Sequence, residues 1–554
     1  MNGPHFFKTL FFTCVLGFAF SCQKQSTHTD LIIFNADIWT GNSQQPYARA
    51  MAISEDKIIA IGDESTIKAL KDTSTELIDM QGAFITPGFI DSHVHMMMGG
   101  NSLLSVQLRD AKTPEAFKKR ISEYAKTLKP GAWVLEGNWD HTLWGGELPK
   151  KEWIDADTQE NPVVVNRMDG HMVLANSLAL KIAGINNHTP DIPGGEIVRD
   201  TNGNPTGILK DNAMNVLLDK IPRMSEKQKE NSLKAAIDYL VSNGVTSVHD
   251  VDSLGTYDIA KQLKDAGELK VRIYAVNPLN HWKKRFGVIK EDDKWLKTGG
   301  LKGFVDGSLG SHTAAFNEPY LDKPQNSGFF INTEENLYKW ISEADEAELQ
   351  VMVHAIGDKA NHSLLNSFER LVKEKGKKDR RLRIEHAQHL QPADIKRFAE
   401  LDIIVSVQPY HAIDDGRWAE ELIGSERIKT TYAFNSLINS KALLVFGSDW
   451  PVAPATPLEG MYAAVTRQTL DGANPDGWIP EQKISIEQAL FAYTKNAAFA
   501  SFEESRKGTL EPGKLADFVV LNKNVTKVKS EEIKDLKILK TYVGGKKVFD
   551  SSSH

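Results

Sequence analysis

Short apolar runs alternate with amphipathic stretches over most of the chain, from residue 83 to residue 502. The apolar runs have the length and composition of buried strands. The stretches between them, such as residues 229–243, repeat their apolar positions every three or four residues, which is typical of helices packed on a sheet. Alternating strands and helices predict a parallel sheet of the α/β class, and the number of units predicts a TIM-like (β/α)8 barrel. The runs are 245–250, 271–275, 349–354, 382–386, 403–407 and 442–447.

Three segments depart from this pattern. Residues 31–82 and 503–554 have the pattern of short strands separated by turns. Because both lie outside the barrel segment, which spans 83–502, they predict one small β-sandwich domain built from the two ends of the chain. Residues 101–212 follow the predicted first barrel strand and contain few clear strand–helix units. They predict an insertion that covers the mouth of the barrel.

The N-terminal segment has the pattern of an export signal. Lys8 precedes an apolar run at 9–20, which is shorter than the roughly 20 residues that a membrane-spanning helix needs. A small residue directly before Cys22 resembles the cleavage site of bacterial lipoproteins. We therefore expect a signal peptide at 1–21, a lipidated Cys22 and a tether at 22–30. The protein would be exported and anchored to a membrane, facing the periplasm or the cell surface; an ordinary cleaved signal with an incidental cysteine is the alternative.

Composition narrows the classes of partner and of chemistry. The formal net charge of -7 lacks the basic balance that is usual in nucleic-acid-binding proteins. The two cysteines, Cys14 and Cys22, both lie in the N-terminal segment, so the folded domains contain neither a disulfide nor a thiolate metal site. We expect a small-molecule substrate and no nucleic-acid partner; assembly into a homo-oligomer is left open.

Histidine and aspartate residues occur where the predicted barrel strands end. His93 and His95 are two positions apart on an apolar strand, so their side chains point the same way and can bind one divalent metal. His354, His386 and Asp449 each end a later apolar run. Catalytic residues of barrels lie at the carboxyl ends of strands, so these side chains predict a metal site at the barrel mouth. Nitrogen and oxygen ligands suit zinc best, with iron and manganese as alternatives.

The order His-x-His, Lys, His, His, Asp resembles that of the amidohydrolase superfamily of metal-dependent hydrolases. The resemblance covers nearly the whole mature chain. Within the superfamily, the chain is most similar to the branch that contains N-substituted formamide deformylase. The segments that carry the resemblance are 86–91, 169–171, 302–311, 354–358, 447–451 and 510–517.

The resemblance implies a centre of one or two divalent ions. His93, His95 and Asp449 would hold one ion. His354 and His386 would hold a second, and Lys302, after carboxylation of its amine, would bridge the two. A salt-bridged or surface role for Lys302 is the alternative, and it would leave a single metal.

The implied reaction is hydrolysis of a non-peptide carbon–nitrogen bond by metal-activated water. Asp449 would accept the proton of the attacking water and pass it to the leaving nitrogen. His171 and His249 would donate hydrogen bonds to the substrate carbonyl or oxyanion, with simple packing as the alternative. We expect His249 to face the barrel mouth. The histidines without such context are predicted to be structural or surface residues: His141, His188, His281, His362, His389 and His411.

Three other functions compete with this interpretation. The same metal centre would also serve hydrolysis of an ester, a lactone or a phosphotriester. A non-catalytic scaffold or binding protein of the same fold is the second alternative, although every candidate ligand position is filled. A solute-binding lipoprotein is the third, and it leaves the strand-end ligands without a purpose.

Overall fold

The computed structural model of the chain describes residues 28–251, 255–283 and 292–553, together with Gly3. Apart from Gly3, the predicted signal peptide lies outside the described residues, as do Cys22 and residues 23–27 of the predicted tether. Among the helices of the described part, none is long and apolar enough to cross a membrane.

Eight parallel strands form the barrel that the alternating pattern predicts. The strands are largely buried on both faces, because helices cover the outside and side chains fill the inside. The barrel closes where the eighth strand meets the first, and there the backbone N–H of Asp449 donates to the carbonyl of His93 at 2.7 Å. In order, the barrel strands are Phe89–Val94, Val245–Val251, Arg272–Pro278, Leu296–Phe304, Gln350–Ala355, Arg383–His386, Ile404–Val407 and Leu443–Phe446.

Helices lie between the barrel strands in sequence and pack against them. Helix Glu226–Ser242 begins at a capping box formed by Ser225 and Gln228, and its apolar stripe is buried against the sheet. The other α-helices of the described part are Glu64–Lys68, Met96–Leu103, Pro114–Ala125, Ser177–Ala183, Asn212–Leu218, Thr256–Asp265, Glu334–Glu346, Asp358–Lys375, Ile395–Glu400, Pro409–Asp415, Ala419–Arg427, Phe434–Asn439, Pro457–Thr466, Ile486–Ala492 and Lys495–Ala500.

The two ends of the chain build a β-sandwich. Strand Phe518–Leu521 pairs antiparallel with Phe84–Pro87, so N- and C-terminal strands share one sheet. The apolar faces of the two sheets form one core, in which Met51 of one sheet and Ile85 of the other are fully buried. The predicted barrel with a terminal β-sandwich is therefore confirmed. The four-stranded sheet has the order Lys57–Gly62, Ala50–Ser54, Leu31–Phe34, Glu76–Asp79, and the six-stranded sheet Lys546–Asp550, Ile538–Val543, Phe518–Leu521, Phe84–Pro87, Asp37–Trp39, Tyr47–Ala48.

The segment that interrupts the barrel pattern folds around a sheet of its own. Trp139 is fully buried in the core of this insertion, and its indole N–H donates to the carbonyl of Val165 at 2.9 Å. Asp169 of the insertion accepts a hydrogen bond from Ser308, at 2.6 Å, in the segment after the fourth barrel strand. The insertion therefore lies over the mouth of the barrel. Its five strands have the order Gly195–Arg199, Pro205–Asp211, Met172–Ala175, Val163–Arg167, Val134–Trp139.

Candidate metal centre

The first and eighth barrel strands bring three metal-type ligands together. Nε2 of His95 lies 3.1 Å from Oδ1 of Asp449, and Nε2 of His93 lies 3.3 Å from the same oxygen. Their ligand atoms lie within 4.8 Å of one another, which is close enough for one small cation to contact all three. Gly447 permits this approach, because a Cβ there would lie 2.6 Å from the backbone nitrogen of His93.

A second group of ligands shares Asp449. One ligand atom each from His386, His411 and Asp449 again lie within 4.8 Å of one another. His386 ends the sixth barrel strand as predicted. His411, predicted to be a structural or surface residue, lies in the first turn of helix Pro409–Asp415 and lines the cavity. Its position just after the apolar run 403–407 was the signal, since strand-end segments supply barrel sites.

Lys302 and His354 lie beside these groups. Nζ of Lys302 is 3.1 Å from Nε2 of His93, and the residue is only 4% exposed. Burial lowers the pKa of Lys302 to about 8. Nε2 of His354 lies 3.0 Å from the carbonyl oxygen of Gly307, and its ring centroid is 4.4 Å from that of His386. Lys302 is thus a buried residue at the centre, not a surface lysine.

A buried ion-pair network contacts Nδ1 of His93. Oε2 of Glu385 lies 2.7 Å from Nδ1 of His93, and Nε of Arg383 lies 2.8 Å from Glu385. Burial opposes the charge on Glu385, but Arg383 and His93 outweigh it and hold the pKa of this carboxyl well below its usual range. A carboxylate on Nδ1 directs Nε2 of His93 toward the ligand group. Glu385 was not predicted as a site residue, although the charged pair Arg383 and Glu385, at alternate positions of an otherwise apolar run, was a signal.

The two other predicted catalytic histidines have different positions. His171 lines the cavity, with Nδ1 2.6 Å from Asp211. Burial disfavours the charged ring, but Asp211 and neighbouring carboxylates outweigh it and raise the pKa of His171 to about 9. His249 does not face the barrel mouth as expected: it is fully buried inside the barrel, where Arg383 donates to its Nδ1 at 2.8 Å. The inward position on a central strand explains the difference, since a barrel interior is filled by side chains.

A cavity of about 250 Å³ separates two walls of different origin. We call the wall at the barrel strand ends the floor and the wall from the insertion the roof. The floor consists of His95, Lys302, His354, His386, His411 and Asp449, and the roof of Asn138, Asn166, Arg167, Asp169 and His171.

Ion pairs hold the roof to the barrel. Arg167, which is almost completely buried, lies 2.7 Å from Asp169 and 3.6 Å from Asp140. Arg417, beyond the seventh barrel strand, lies 3.1 Å from Asp140 and also pairs with Asp414. The roof therefore presents hydrogen-bonding and charged groups to a bound molecule.

The residues at the floor fit a divalent cation. Imidazole and carboxylate are the ligands that zinc and similar metals prefer. Nδ1 of His386 and Nε2 of His411 are buried and have no hydrogen-bond partner among the described residues. Buried polar atoms are rarely left without a partner, and a bound cation would satisfy these two.

A (β/α)8 barrel with candidate metal ligands at the carboxyl ends of its strands has the architecture of metal-dependent hydrolases. The chain belongs to the amidohydrolase family, whose profile matches residues 76–549. The predicted resemblance to this superfamily is thereby confirmed.

Individual relatives extend the match over nearly the whole chain. The protein LONG AFTER FAR-RED 3 of Arabidopsis thaliana is 40% identical over 94% of this chain and 91% of its own length. N-substituted formamide deformylase of Arthrobacter pascens is 27% identical over 93% of this chain and 97% of its own length. The crystal structure of an uncharacterized metal-dependent hydrolase from Pyrococcus horikoshii has a TM-score of 0.74 and 29% identity, and covers 90% of this chain and 99% of its own. The predicted branch is therefore represented among the relatives.

Proposed function

We propose that this amidohydrolase cleaves a non-peptide carbon–nitrogen bond in a small polar amide. One observation carries the proposal: His93, His95 and Asp449 form a compact ligand group, and His95 and Asp449 line a cavity of about 250 Å³. The size of this cavity favours a small-molecule substrate. The charged roof favours a substrate with polar groups besides the reacting bond.

The residues at the centre have distinct proposed roles. His93, His95 and Asp449 would hold one divalent ion, and His354 and His386 a second, with a carboxylated Lys302 between them. Zinc is the ion that suits this set best. When bound, such an ion would supply Lewis acidity for a substrate carbonyl and would lower the pKa of water toward neutral pH.

Asp449 and His171 are placed to move and stabilise charge. Asp449 would accept the proton of the attacking water and donate it to the leaving nitrogen, because its carboxylate lies at the ligand group and borders the cavity. His171 is held by Asp211 through Nδ1, so the rest of its ring can serve the cavity. With a pKa of about 9 it is protonated at pH 7 and would donate a hydrogen bond to the developing oxyanion. The roof above would exclude bulk water.

Removal of metal tests the hydrolase mechanism directly. Protein treated with a chelator and desalted should lose at least about 100-fold in hydrolysis, since no side chain replaces a Lewis acid. Added Zn²⁺ should restore the activity. Undiminished hydrolysis by protein whose metal content has been measured as zero would contradict the proposal.

A panel of matched substrates tests the type of bond. N-substituted formamides, N-acyl amines and cyclic amides should be hydrolysed with higher kcat/KM than esters and lactones of the same shape. Support comes from N-substituted formamide deformylase, which aligns with 93% of this chain. Faster cleavage of the matched ester, lactone or phosphotriester would favour those alternatives, and metal-containing protein inactive on the whole panel would favour a binding role.

We also propose that the protein is exported and lipid-anchored through Cys22. The support is the sequence of the first 22 residues, with its apolar run and a small residue before the cysteine. When the parent protein is expressed in a bacterium that is grown with labelled palmitate, it should carry the label. It should also be found in the membrane fraction. Cys22→Ala should abolish the label, whereas Cys14→Ala serves as the matched control and should keep it. A labelled Cys22→Ala protein, or an unlabelled parent, would contradict the anchor.

A further inference from the structure

His411 lies at the floor although the strand-end pattern of the metal ligands does not include it. It reaches the cavity from the first turn of helix Pro409–Asp415, directly after the seventh barrel strand. Pro409 at the start of this helix has a fixed φ, which favours one path of the chain into the first turn. The position of the His411 side chain is therefore set by a regular element and not by a long loop.

Three features of His411 indicate a ligand. Its Nε2 is buried and has no hydrogen-bond partner among the described residues, and the same is true of Nδ1 of the neighbouring His386. The two rings are nearly parallel, with centroids 6.3 Å apart and an interplanar angle of 16°. Ligand atoms of His386, His411 and Asp449 lie within 4.8 Å of one another. Two buried imidazole nitrogens without partners beside one carboxylate are costly unless a cation satisfies them.

We propose that His411 is a ligand of the second metal ion, together with His386 and Asp449. His411 is thereby added to the proposed ligands of the second ion, which are His354, His386 and the carboxylated Lys302. Asp449 then belongs to both ligand groups, because it also lies beside His93 and His95. This inference rests on the proposed function, since it assigns a further residue to the same centre.

Metal counting tests the ligand role without any substrate. Apo protein loaded with Zn²⁺ and desalted should contain two ions per chain by elemental analysis. His411→Ala should contain one, and its second ion should bind more than about 100-fold more weakly in a Co²⁺ titration followed by absorbance, because removal of a ligand costs more than removal of a supporting residue. His411→Asp, which keeps a ligand atom, should recover part of the Co²⁺ spectrum.

A second histidine provides the matched control. His362 lies on helix Asp358–Lys375, where its ring pairs with Asp394 at 3.0 Å, and it does not line the cavity. His362→Ala should keep two ions and the parent Co²⁺ spectrum. A parent protein that takes up a single ion would overturn the inference. So would a folded His411→Ala protein that takes up two ions with unchanged affinity.

The two proposals fail in different ways. If His411→Ala keeps both ions while the parent protein loses hydrolysis on chelation, only the ligand role of His411 is wrong. If the loaded parent contains two ions, one of them dependent on His411, but hydrolyses none of the compounds in the panel, the ligand role stands and the proposed hydrolysis fails.

Discussion

The floor and the roof of the cavity differ in how their polar residues are held. Floor residues such as His386 and Asp449 lie at or shortly after the ends of barrel strands, so backbone pairing of neighbouring strands fixes their spacing. Roof residues such as Arg167 lie on the separate sheet of the insertion, and ion pairs between side chains, such as that of Arg417 with Asp140, join this sheet to the barrel. From this difference we predict that the floor residues carry the proposed reaction and that the roof residues determine which molecule binds. Substitutions in the floor should therefore lower mainly kcat, and substitutions in the roof should raise mainly KM.

The largest effect is expected at Asp449. Asp449→Asn removes the carboxylate shared by both ligand groups and the proposed proton carrier, so kcat/KM should fall by about 10³-fold or more. Steady-state kinetics and metal analysis on the same preparation measure both consequences. Asp394→Asn is the control, because this buried aspartate pairs with His362 and Arg397 away from the cavity. Activity of Asp449→Asn within tenfold of the parent value would show that the floor does not provide the reaction.

The second largest effects are expected from substitutions that remove one partner from each of two buried ion pairs. Glu385→Gln leaves Arg383 without its charged partner, and Arg167→Met removes the arginine that pairs with Asp169. Each should lower the free energy of unfolding by about 3–5 kcal/mol in urea titrations, because a buried charge loses its compensation.

Glu385→Gln and Arg167→Met should differ in metal affinity and in KM, although they lose similar amounts of unfolding free energy. Glu385→Gln should also weaken metal binding by about 10–100-fold, because it no longer orients His93. Arg167→Met should keep its metal affinity and raise KM, because it changes the roof. Equal losses of metal from both variants would remove the distinction between the walls. Glu374→Gln, at a surface ion pair with Arg370, is the control and should cost less than about 1 kcal/mol.

A smaller effect is expected where the barrel closes. A Cβ at Gly447 would lie 2.6 Å from the backbone nitrogen of His93, so Gly447→Ala must push the first and eighth strands apart. We expect a loss of about 1–3 kcal/mol in the free energy of unfolding, as is usual for overpacking, together with weaker metal binding. Gly62→Ala is the matched control, because its new methyl would meet only one atom, at 3.9 Å. Equal thermal midpoints and metal affinities for both variants would contradict this account of the floor.

The smallest expected effect is the pH dependence of stability that comes from Asp415, at the end of the helix that follows the seventh barrel strand. Burial raises the pKa of Asp415 to about 7, where it accepts hydrogen bonds from Tyr432 and Gln388 and faces Arg167 and the carboxylate of Asp414. The folded protein therefore keeps a proton that the unfolded chain releases near about pH 4. This group consequently lowers the free energy of unfolding as the pH rises from about 4 to 7.

Comparison with a variant isolates this contribution from other titrating groups. The stability of Asp415→Asn relative to the parent should increase between about pH 4 and 7, as followed by urea unfolding at each pH. Asp471→Asn should show the opposite sign and at lower pH, below about 4, because hydrogen bonds from Ala473 and Thr469 outweigh slight burial and lower the pKa of Asp471. Parallel curves for Asp415→Asn and the parent would show that Asp415 does not keep its proton.

The sequence by itself determined the barrel, the terminal β-sandwich and most of the floor. His93 and His95 could be predicted as a pair because the alternation of side chains along a strand is a local property. His354, His386 and Asp449 followed because barrel sites lie at the carboxyl ends of strands, and apolar runs mark those ends. The family resemblance added Lys302, and the structure places it 3.1 Å from His93.

The tertiary structure alone decided the remaining contacts. The pair of Arg417 with Asp140 joins residues 277 positions apart, and no periodic pattern encodes such a contact. Glu385 lies in a short, largely apolar run that does not indicate its role. That role depends on its contact with His93, which is 292 positions away. His249 and His411 both occur near strand ends, yet one is enclosed in the barrel and the other borders the cavity. Side-chain direction in a closed barrel depends on how all of its strands are arranged, so it cannot be derived from one strand alone.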